Sequence, residues 1–326
     1  MKDAGAFLQE CLLSLAGQRL ADHEVVAVDD GSADGSRDIL ARAARADPRV
    51  RVIASPGRGL VEALNAATVV ACGEFVARMD ADDIAHPDRL AAQVERLLAD
   101  PAVDILGSRV RLFGEPANGN AGMQAYVAWT NSLVNHDDIV RDLWVESPLA
   151  HPSVMMRAGV FRSLGGYRSF HGPEDYDLWL RAHAAGLRFA KCEAVLLDWR
   201  DAAGRLSRTD PRYAAQAFRA LKIEALLSNF VAAGRPLVVW GAGPIGKAWS
   251  RDLAAAGRPI AAFVEVDPDK VGQRIHGVPV LPVERAGSVA GALHLAAVSG
   301  IQARGRIRAA AGLLGIVDGR DLLAVA

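Results

Sequence analysis

Between residues 24 and 114, short β-branched runs alternate with stretches of helical periodicity, and this alternation restricts the chain to an α/β fold. "EVVAVDDGS" (24–32) is an apolar run ending in acids and glycine, the pattern of a buried parallel strand with a loop at its carboxyl end. "SADGSRDILARAARA" then opens a helix, with Ser32 or Asp34 as N-cap. "RVRVIAS" reads as a strand, "GLVEALNAATVVA" as a helix, "GEFVARMD" as a third strand, and 102–114 as another. A helix opens at His86-Pro87-Asp88, with Pro87 in its first turn. Ahead of these, residues 5–17 place Phe7, Leu8, Cys11, Leu12 and Leu15 on one helical face, closed by Gly17. The sheet is expected to be mainly parallel.

In such sheets ligands bind beyond the carboxyl ends of strands. Asp29 and Asp30 fall at one such end, and Asp80, Asp82 and Asp83 at another, so the two groups could converge on one crevice. Three carboxylates within four positions of "RMDADDIAHPDRL" repel one another. The cluster is either a solvated loop, a set of N-cap acids, or a metal site. Mn²⁺ or Mg²⁺ suits it, because both ions favour carboxylate and phosphate oxygens and take few ligands from protein. Such an ion would hold a diphosphate and neutralise it as it leaves.

Composition removes several other classes. The chain has 326 residues, long enough to favour two domains. A formal net charge of −1 gives no broad basic field for nucleic acid. Cys11, Cys72 and Cys192 are far apart, form no CxxC pair and suit a reducing cytosol. No apolar run approaches the ~20 residues of a membrane span, and no signal peptide leads the chain. Peripheral membrane contact stays open, and the expected location is the cytoplasm, the inner face of the membrane included.

The pattern weakens from about 115 to 150, read as a substrate-facing insertion, with Trp129 and Trp144 more often core than sugar platforms. "HPSVMMRAGVFRSLGGYR" (151–168) holds a strand and a short helix, and "GPEDYDLWLRAHAAG" (172–186) a helix between Pro173 and Gly186. Residues 210–234 read as a connecting helix. From 235 the chain runs strand, glycine turn, helix, strand. Gly241, Gly243 and Gly246 make a G-x-G-x-x-G in that context, and Glu265 ends the second strand at the spacing of a ribose-binding acid. This leaves nucleotide or NAD(P) binding open, although nothing nearby looks like a hydride-transfer site.

Residues 5–209 resemble a family 2 glycosyltransferase of the GT-A fold. "VVAVDDGSADGS" is similar to that family's nucleotide-binding segment, "GEFVARMDADDIAHPDRL" to its DxD segment, and "HPSVMMR" and "GPEDYDLWLR" to its acceptor-side segments. The resemblance implies an N-terminal GT-A domain over 1–209, and the pattern beyond it gives a connector over 210–234 and a smaller Rossmann-like α/β domain over 235–326. It implies inverting, metal-dependent transfer of a sugar from a nucleotide-diphosphate donor to a hydroxyl of a glycan or glycolipid, with surface polysaccharide synthesis as one setting. Residue by residue, Asp30 would bond the donor base with Asp29 beside it. Asp80 would meet the ribose or a metal-bound water, Asp82 would ligate the metal, and Asp175 would be the general base. Arg58 is a candidate donor contact, and His151 and Glu174 candidate donor or acceptor contacts. Each has a structural alternative: a turn for "DDGS", first-turn helix acids for Glu174, Asp175 and Asp177, and a surface ion pair for Arg58.

Two departures from the family pattern stand out. The family opens with a strand, whereas this chain starts "MKDAGAFLQE", so the first strand is expected to be missing, through an upstream start or a real truncation, with a gap in the sheet. In "LLDWRDAAGRLSRTD" no histidine follows Trp199-Arg200, and Asp198 or Asp201 are the candidates to replace that metal ligand. The rival functions are an NAD(P)-linked oxidoreductase centred on 235–326 and a non-catalytic nucleotide-sugar-binding protein.

Overall fold

The computed structural model describes residues 1–55, 57–115, 120–170, 172–202, 204–230 and 234–326. Its contacts divide the chain into one unit of Met1–Ile139 with Pro148–Tyr213, and a second of Val140–Ser147 with Ala214–Ala326.

In the first unit, α1 (Gly5–Ala16) buries Leu8, Cys11 and Leu12 and ends where the Gly17 N–H bonds the Leu13 carbonyl. Leu8 and Leu12 pack with Leu40 of α2 (Ser36–Ala46). Asp34 ties the two helix starts together, accepting from the Gly5 N–H at 2.8 Å and the Ser36 N–H at 2.9 Å. These bonds satisfy orphan first-turn donors at a negative charge the helix dipoles favour. Between the helices runs β1 (Val25–Asp29), paired in parallel with β2 (Val50–Ala54); α3 (Leu60–Val70) follows. Along its other edge β1 meets Met1, whose ammonium donates to the Val28 carbonyl and whose carbonyl accepts the Asp30 N–H, each at 2.8 Å. β1 and β2 form a sheet of their own.

A five-stranded sheet carries the rest. It contains β3 (Phe75–Ala77), β4 (Ile84–Ala85), β5 (Ile105–Phe113), β6 (Met155–Arg157) and β7 (Phe189–Arg200), in the order β3-β6-β5-β7-β4. Around it lie α4 (Arg89–Ala99), α5 (Ala121–Ser132), α6 (His136–Asp142), α7 (Ala158–Ser163), α8 (Glu174–Ala184) and α9 (Leu206–Thr209). The sheet is mixed, which corrects the expectation of mainly parallel pairing in this unit. β6 is antiparallel to both β3 and β5, and β4 is antiparallel to β7; β5 and β7 are parallel. The reason is connectivity: β6 is reached through the helices of 121–142 and a 3₁₀ turn at His151–Ser153, not by the strand–helix–strand crossover that yields parallel neighbours. The stretch 115–150 accordingly contains α5 and α6, and Trp129 and Trp144 are buried. Leu97, Val103, Leu106, Met155 and Ala190 form one core cluster; a buried leucine of this kind contributes about 1.5–3 kcal/mol.

The second unit contains α10 (Ala215–Ala225), β8 (Leu237–Trp240), α11 (Pro244–Ala255), β9 (Ala262–Glu265), β10 (Arg274–Ile275), β11 (Val278–Pro282), β12 (Leu293–Ala296), α12 (Ile301–Leu313) and β13 (Leu322–Ala324). The sheet order is β10-β11-β9-β8-β12-β13, parallel except at the β10–β11 hairpin. The end of the expected connecting helix, 231–233, lies outside the described residues. At the glycine turn Gly241 has φ +93°, and a Cβ on Gly246 would lie 1.8 Å from the Gly241 carbonyl oxygen. Gly246 thus lets α11 start against the turn, where any side chain would collide.

Candidate active site

The acidic segment leaves β3 at one edge of the five-stranded sheet and enters β4 at the other edge. It therefore crosses the end of the sheet where β5 and β7 finish. Asp80, Asp82 and Asp83 each place a carboxylate oxygen within 4.8 Å of the others. Burial raises the pKa of Asp82, with the Asp80 charge adding to it; burial and both neighbours push that of Asp83 well up. Asp83 is 1% exposed. Its Oδ1 accepts the Arg200 N–H at 2.8 Å, and its Oδ2 has no hydrogen-bond partner among the described residues. Arg200, the last residue of β7, holds the segment from behind. Its Nε donates to the Asp82 carbonyl at 2.6 Å, and its guanidinium lies over Phe7 and Phe113 at 4.4 and 4.3 Å. The Cys11 thiol donates to the Asp80 carbonyl, and burial with the three acids pushes it up to about 12.

A divalent cation fits this donor set. The cluster has a buried oxygen with no partner among the described residues, and burial together with the neighbouring charges raises the pKa values of Asp82 and Asp83, a cost a cation would relieve. Asp198 and Asp201 do not join it. Asp198 is held by a two-pronged ion pair with Arg111, both bonds 2.7 Å, and Asp201 bonds Arg208 and Asn120. The segment that lacks the expected histidine instead brings Arg205, stacked on Trp199 at 4.3 Å, close enough for its charge to act on Asp82.

Asp29 and Asp30 lie near the cluster, since the Met1 ammonium feels Asp30, Asp80 and Asp29 together. The two differ in what they leave open. Asp29 is committed on both oxygens, to the Ser32 N–H (3.1 Å) and Arg37 Nε (2.7 Å). Burial would raise its pKa, but these bonds outweigh burial and lower it. Asp30 accepts the Gly59 N–H on one oxygen at 2.9 Å, while its buried Oδ1 has no hydrogen-bond partner among the described residues. Arg58 is exposed and makes no ion pair among the described residues.

On the acceptor side, α8 places three acids in its first turn, and each has a different fate. Glu174 is buried; its Oε2 accepts from the Tyr213 hydroxyl at 2.6 Å, and its Oε1 lies 3.7 Å from His151 Nδ1. Burial, helped by Arg78, drives the His151 pKa well down, so the ring is neutral and that contact is not ionic. His151 Nε2 pairs with the Tyr167 hydroxyl at 2.7 Å. Asp177 is buried between Arg168 and Arg181. Asp175 is half-buried beside them. The sequence reading did not single out Arg78, Tyr167 or Tyr213. Arg78 sits immediately before the acidic motif and pairs with Asp80, which is its one visible signal. Tyr213 reaches Glu174 across 39 positions and had none.

With this geometry in view, similarity to known proteins decides the family. The family model for Glycosyl transferase family 2 matches residues 1–165, half of the chain. The chain belongs to this family. As a family 2 member it is a glycosyltransferase, and its relatives agree. It is 29% identical over 243 residues to the putative glycosyltransferase EpsE of Bacillus subtilis, covering 71% of this chain and 83% of that one. It is 32% identical over 191 residues to the amylovoran biosynthesis glycosyltransferase AmsE of Erwinia amylovora, covering 58% and 69%. Among solved structures, S. aureus TarS 1–349 in complex with UDP-GlcNAc superposes with a TM-score of 0.55 at 17% identity, over 78% of this chain and 69% of that one. This last likeness concerns the fold, and it is the GT-A fold of family 2.

In the second unit, Glu265 is already bound to the turn it was expected to serve. Its Oε2 accepts the Ala242 N–H at 2.9 Å, its Oε1 accepts the Val266 N–H at 2.8 Å, and Lys270 lies 3.7 Å away. Among the described residues no helix is long and apolar enough to cross a membrane.

Proposed function

We propose that the first unit catalyses inverting transfer of a sugar from a nucleoside-diphosphate donor to a hydroxyl of a glycan or glycolipid acceptor, with a divalent cation. The observation that carries this is the crossing of the sheet's end by three mutually repelling aspartates, one with a buried orphaned oxygen. Asp82, flanked by Asp80 and Asp83, would hold Mn²⁺ or Mg²⁺. Bound there, the ion supplies Lewis-acid stabilisation of a diphosphate leaving group. Asp30, through its unpaired oxygen, accepts an N–H of the donor base; Asp29 holds the turn that presents it, and Arg58 is free to reach the donor. Asp175 takes the acceptor hydroxyl proton as that oxygen bonds the anomeric carbon and the bond from that carbon to the phosphate oxygen breaks. One displacement inverts configuration, and a base so placed contributes about 10²–10⁴-fold. Neutral His151 and Glu174 shape the acceptor side through Tyr167 and Tyr213. The name of AmsE, an amylovoran biosynthesis glycosyltransferase, supports a setting in polysaccharide synthesis.

Calorimetric titration of UDP, GDP and dTDP with and without Mn²⁺ tests the donor site. One diphosphate should bind in a Mn²⁺-dependent way and lose that binding in Asp82→Ala; no binding to folded protein would sink the proposal. Dinucleotide binding through Gly241, Gly243, Gly246 and Glu265 would require Glu265 to release Ala242, and adding NAD to the same titration tests it.

A further inference from the structure

Arg78 is a buried polar group with no role in the proposed reaction. Its side chain is 9% exposed and its Nη1 forms an ion pair with Asp80. Nη1 is buried against Asp80, and the buried Nε has no hydrogen-bond acceptor among the described residues. The main chain fixes where this guanidinium sits. The Arg78 N–H donates to the Val154 carbonyl at 2.9 Å, which ties it to the start of β6, and its carbonyl accepts from Arg89 Nη2 at 2.7 Å. Its charge acts on Asp80, Tyr167 and Glu174. Val154, which it bonds, donates its own N–H to the His151 carbonyl, and His151 lies 3.7 Å from Glu174, so Arg78 is near both the acids assigned to the donor diphosphate and the first turn of α8, which carries the proposed base.

A buried guanidinium N–H left without an acceptor is costly, so such groups persist where a ligand supplies the oxygen. The ligand's charge follows from the neighbours. Asp80 already neutralises Arg78, so the remaining N–H groups suit a neutral acceptor such as a hydroxyl oxygen. On the proposed reaction, the piece of substrate between the leaving phosphate and the base is the transferred sugar. We propose that Arg78 binds a hydroxyl or ring substituent of that sugar and so contributes to donor specificity. This rests on the glycosyltransferase reading of the same site.

The test compares donors with and without their sugar. UDP-glucose, UDP-N-acetylglucosamine, GDP-mannose and dTDP-glucose are titrated with Mn²⁺ against UDP, GDP and dTDP, on wild type and on Arg78→Lys. Lysine keeps a cation beside Asp80 but loses the fork of N–H groups. The expected result is a loss of about tenfold or more in affinity for the sugar nucleotide the wild type prefers, with the matching diphosphate changed less than about twofold. Turnover should show the loss in KM for the donor, with KM for the acceptor unchanged. Equal weakening of diphosphate and sugar nucleotide would overturn the assignment and give Arg78 to Asp80 and the diphosphate alone; so would no weakening of either. If wild type binds no nucleoside diphosphate at all, the glycosyltransferase reading of the site fails first and takes this assignment with it. Should Arg78→Lys not fold, Arg78→Gln carries the same comparison through its amide donor.

Discussion

Asp177→Ala separates the clamped acid of α8 from Asp175, the proposed base. Asp177 is 1% exposed and receives Arg168 Nε at 3.0 and 3.1 Å and Arg181 Nε at 2.8 Å. Removing one partner of a buried ion pair costs about 3–5 kcal/mol. Two features put this site at the low end. Arg168 is 47% exposed and can return to water, and Arg181 keeps the Leu164 and Gly166 carbonyls. The expected loss is about 3 kcal/mol, equivalent to roughly 150-fold in an opening equilibrium. Hydrogen–deuterium exchange read on peptides of α8 measures this where it occurs and is blind to the second unit. Asp177→Ala should speed exchange there by that order, whereas Asp175→Ala should leave it within about threefold while transfer falls about 10²–10⁴-fold. Exchange of α8 unchanged in Asp177→Ala would refute the clamp, and full turnover in Asp175→Ala would refute the base.

Three further expectations concern charge and space. Without a cation, the raised folded pKa values of Asp82 and Asp83 mean that the unfolded chain ionises first, so stability falls as pH rises above the ordinary carboxylate value of 3.8. Mn²⁺ should remove this penalty, and its effect on the melting temperature should be larger at pH 8 than at pH 5; an equal shift at both would count against the site. Burial lowers Lys191 to about 7, and its amine bonds the Thr130 carbonyl and hydroxyl. Between that value and the ordinary 10.5 the unfolded state holds the extra proton, so stability should rise with pH across this window and the rise should vanish in Lys191→Met, as denaturation at pH 7 and 10 will show. Gly246→Ala should destabilise the second unit by about 2 kcal/mol or more, because its Cβ meets backbone and not a movable side chain; a melting temperature within a degree of wild type would contradict the packing described.

Much of the site was legible because its residues are neighbours in sequence. The strand-end position marked Asp30 and the acidic triad, and the resemblance of "GPEDYDLWLR" to the family's acceptor-side segment put forward Asp175. Legibility ended where a role depends on a distant partner. Asp29 and Asp30 read alike in "DDGS", yet Asp29 is taken by Arg37, which only the orientation of α2 brings near. The sequence offers first-turn helix acids as the alternative for Glu174, Asp175 and Asp177 alike, but not the partners Tyr213, Arg168 and Arg181 that hold two of them. The fold shows the same limit. The α/β alternation named the architecture, but three residues of β6 carry no sign of their direction. α5 was missed because Gly, Ala and aromatic residues blur its period. Asn120, whose side chain accepts the Met123 N–H at 3.2 Å, was its available start signal.

The three thiols differ sharply in chemical reactivity. Cys11 is buried and its thiolate disfavoured, and Cys192 is half-buried with its pKa also raised, whereas Cys72 is in open solvent. A thiol-directed nitroxide at mild pH should therefore attach to Cys72 alone. Cys72 is fixed to the fold where its N–H meets Glu24 at 2.6 Å, just ahead of β1. A spin label at that point would report, by relaxation enhancement, the arrival of a paramagnetic ion among the aspartates, with no substitution near the chemistry. The thiol that supports the acidic segment from inside, Cys11, would be untouched by the labelling and by the mild oxidants of handling.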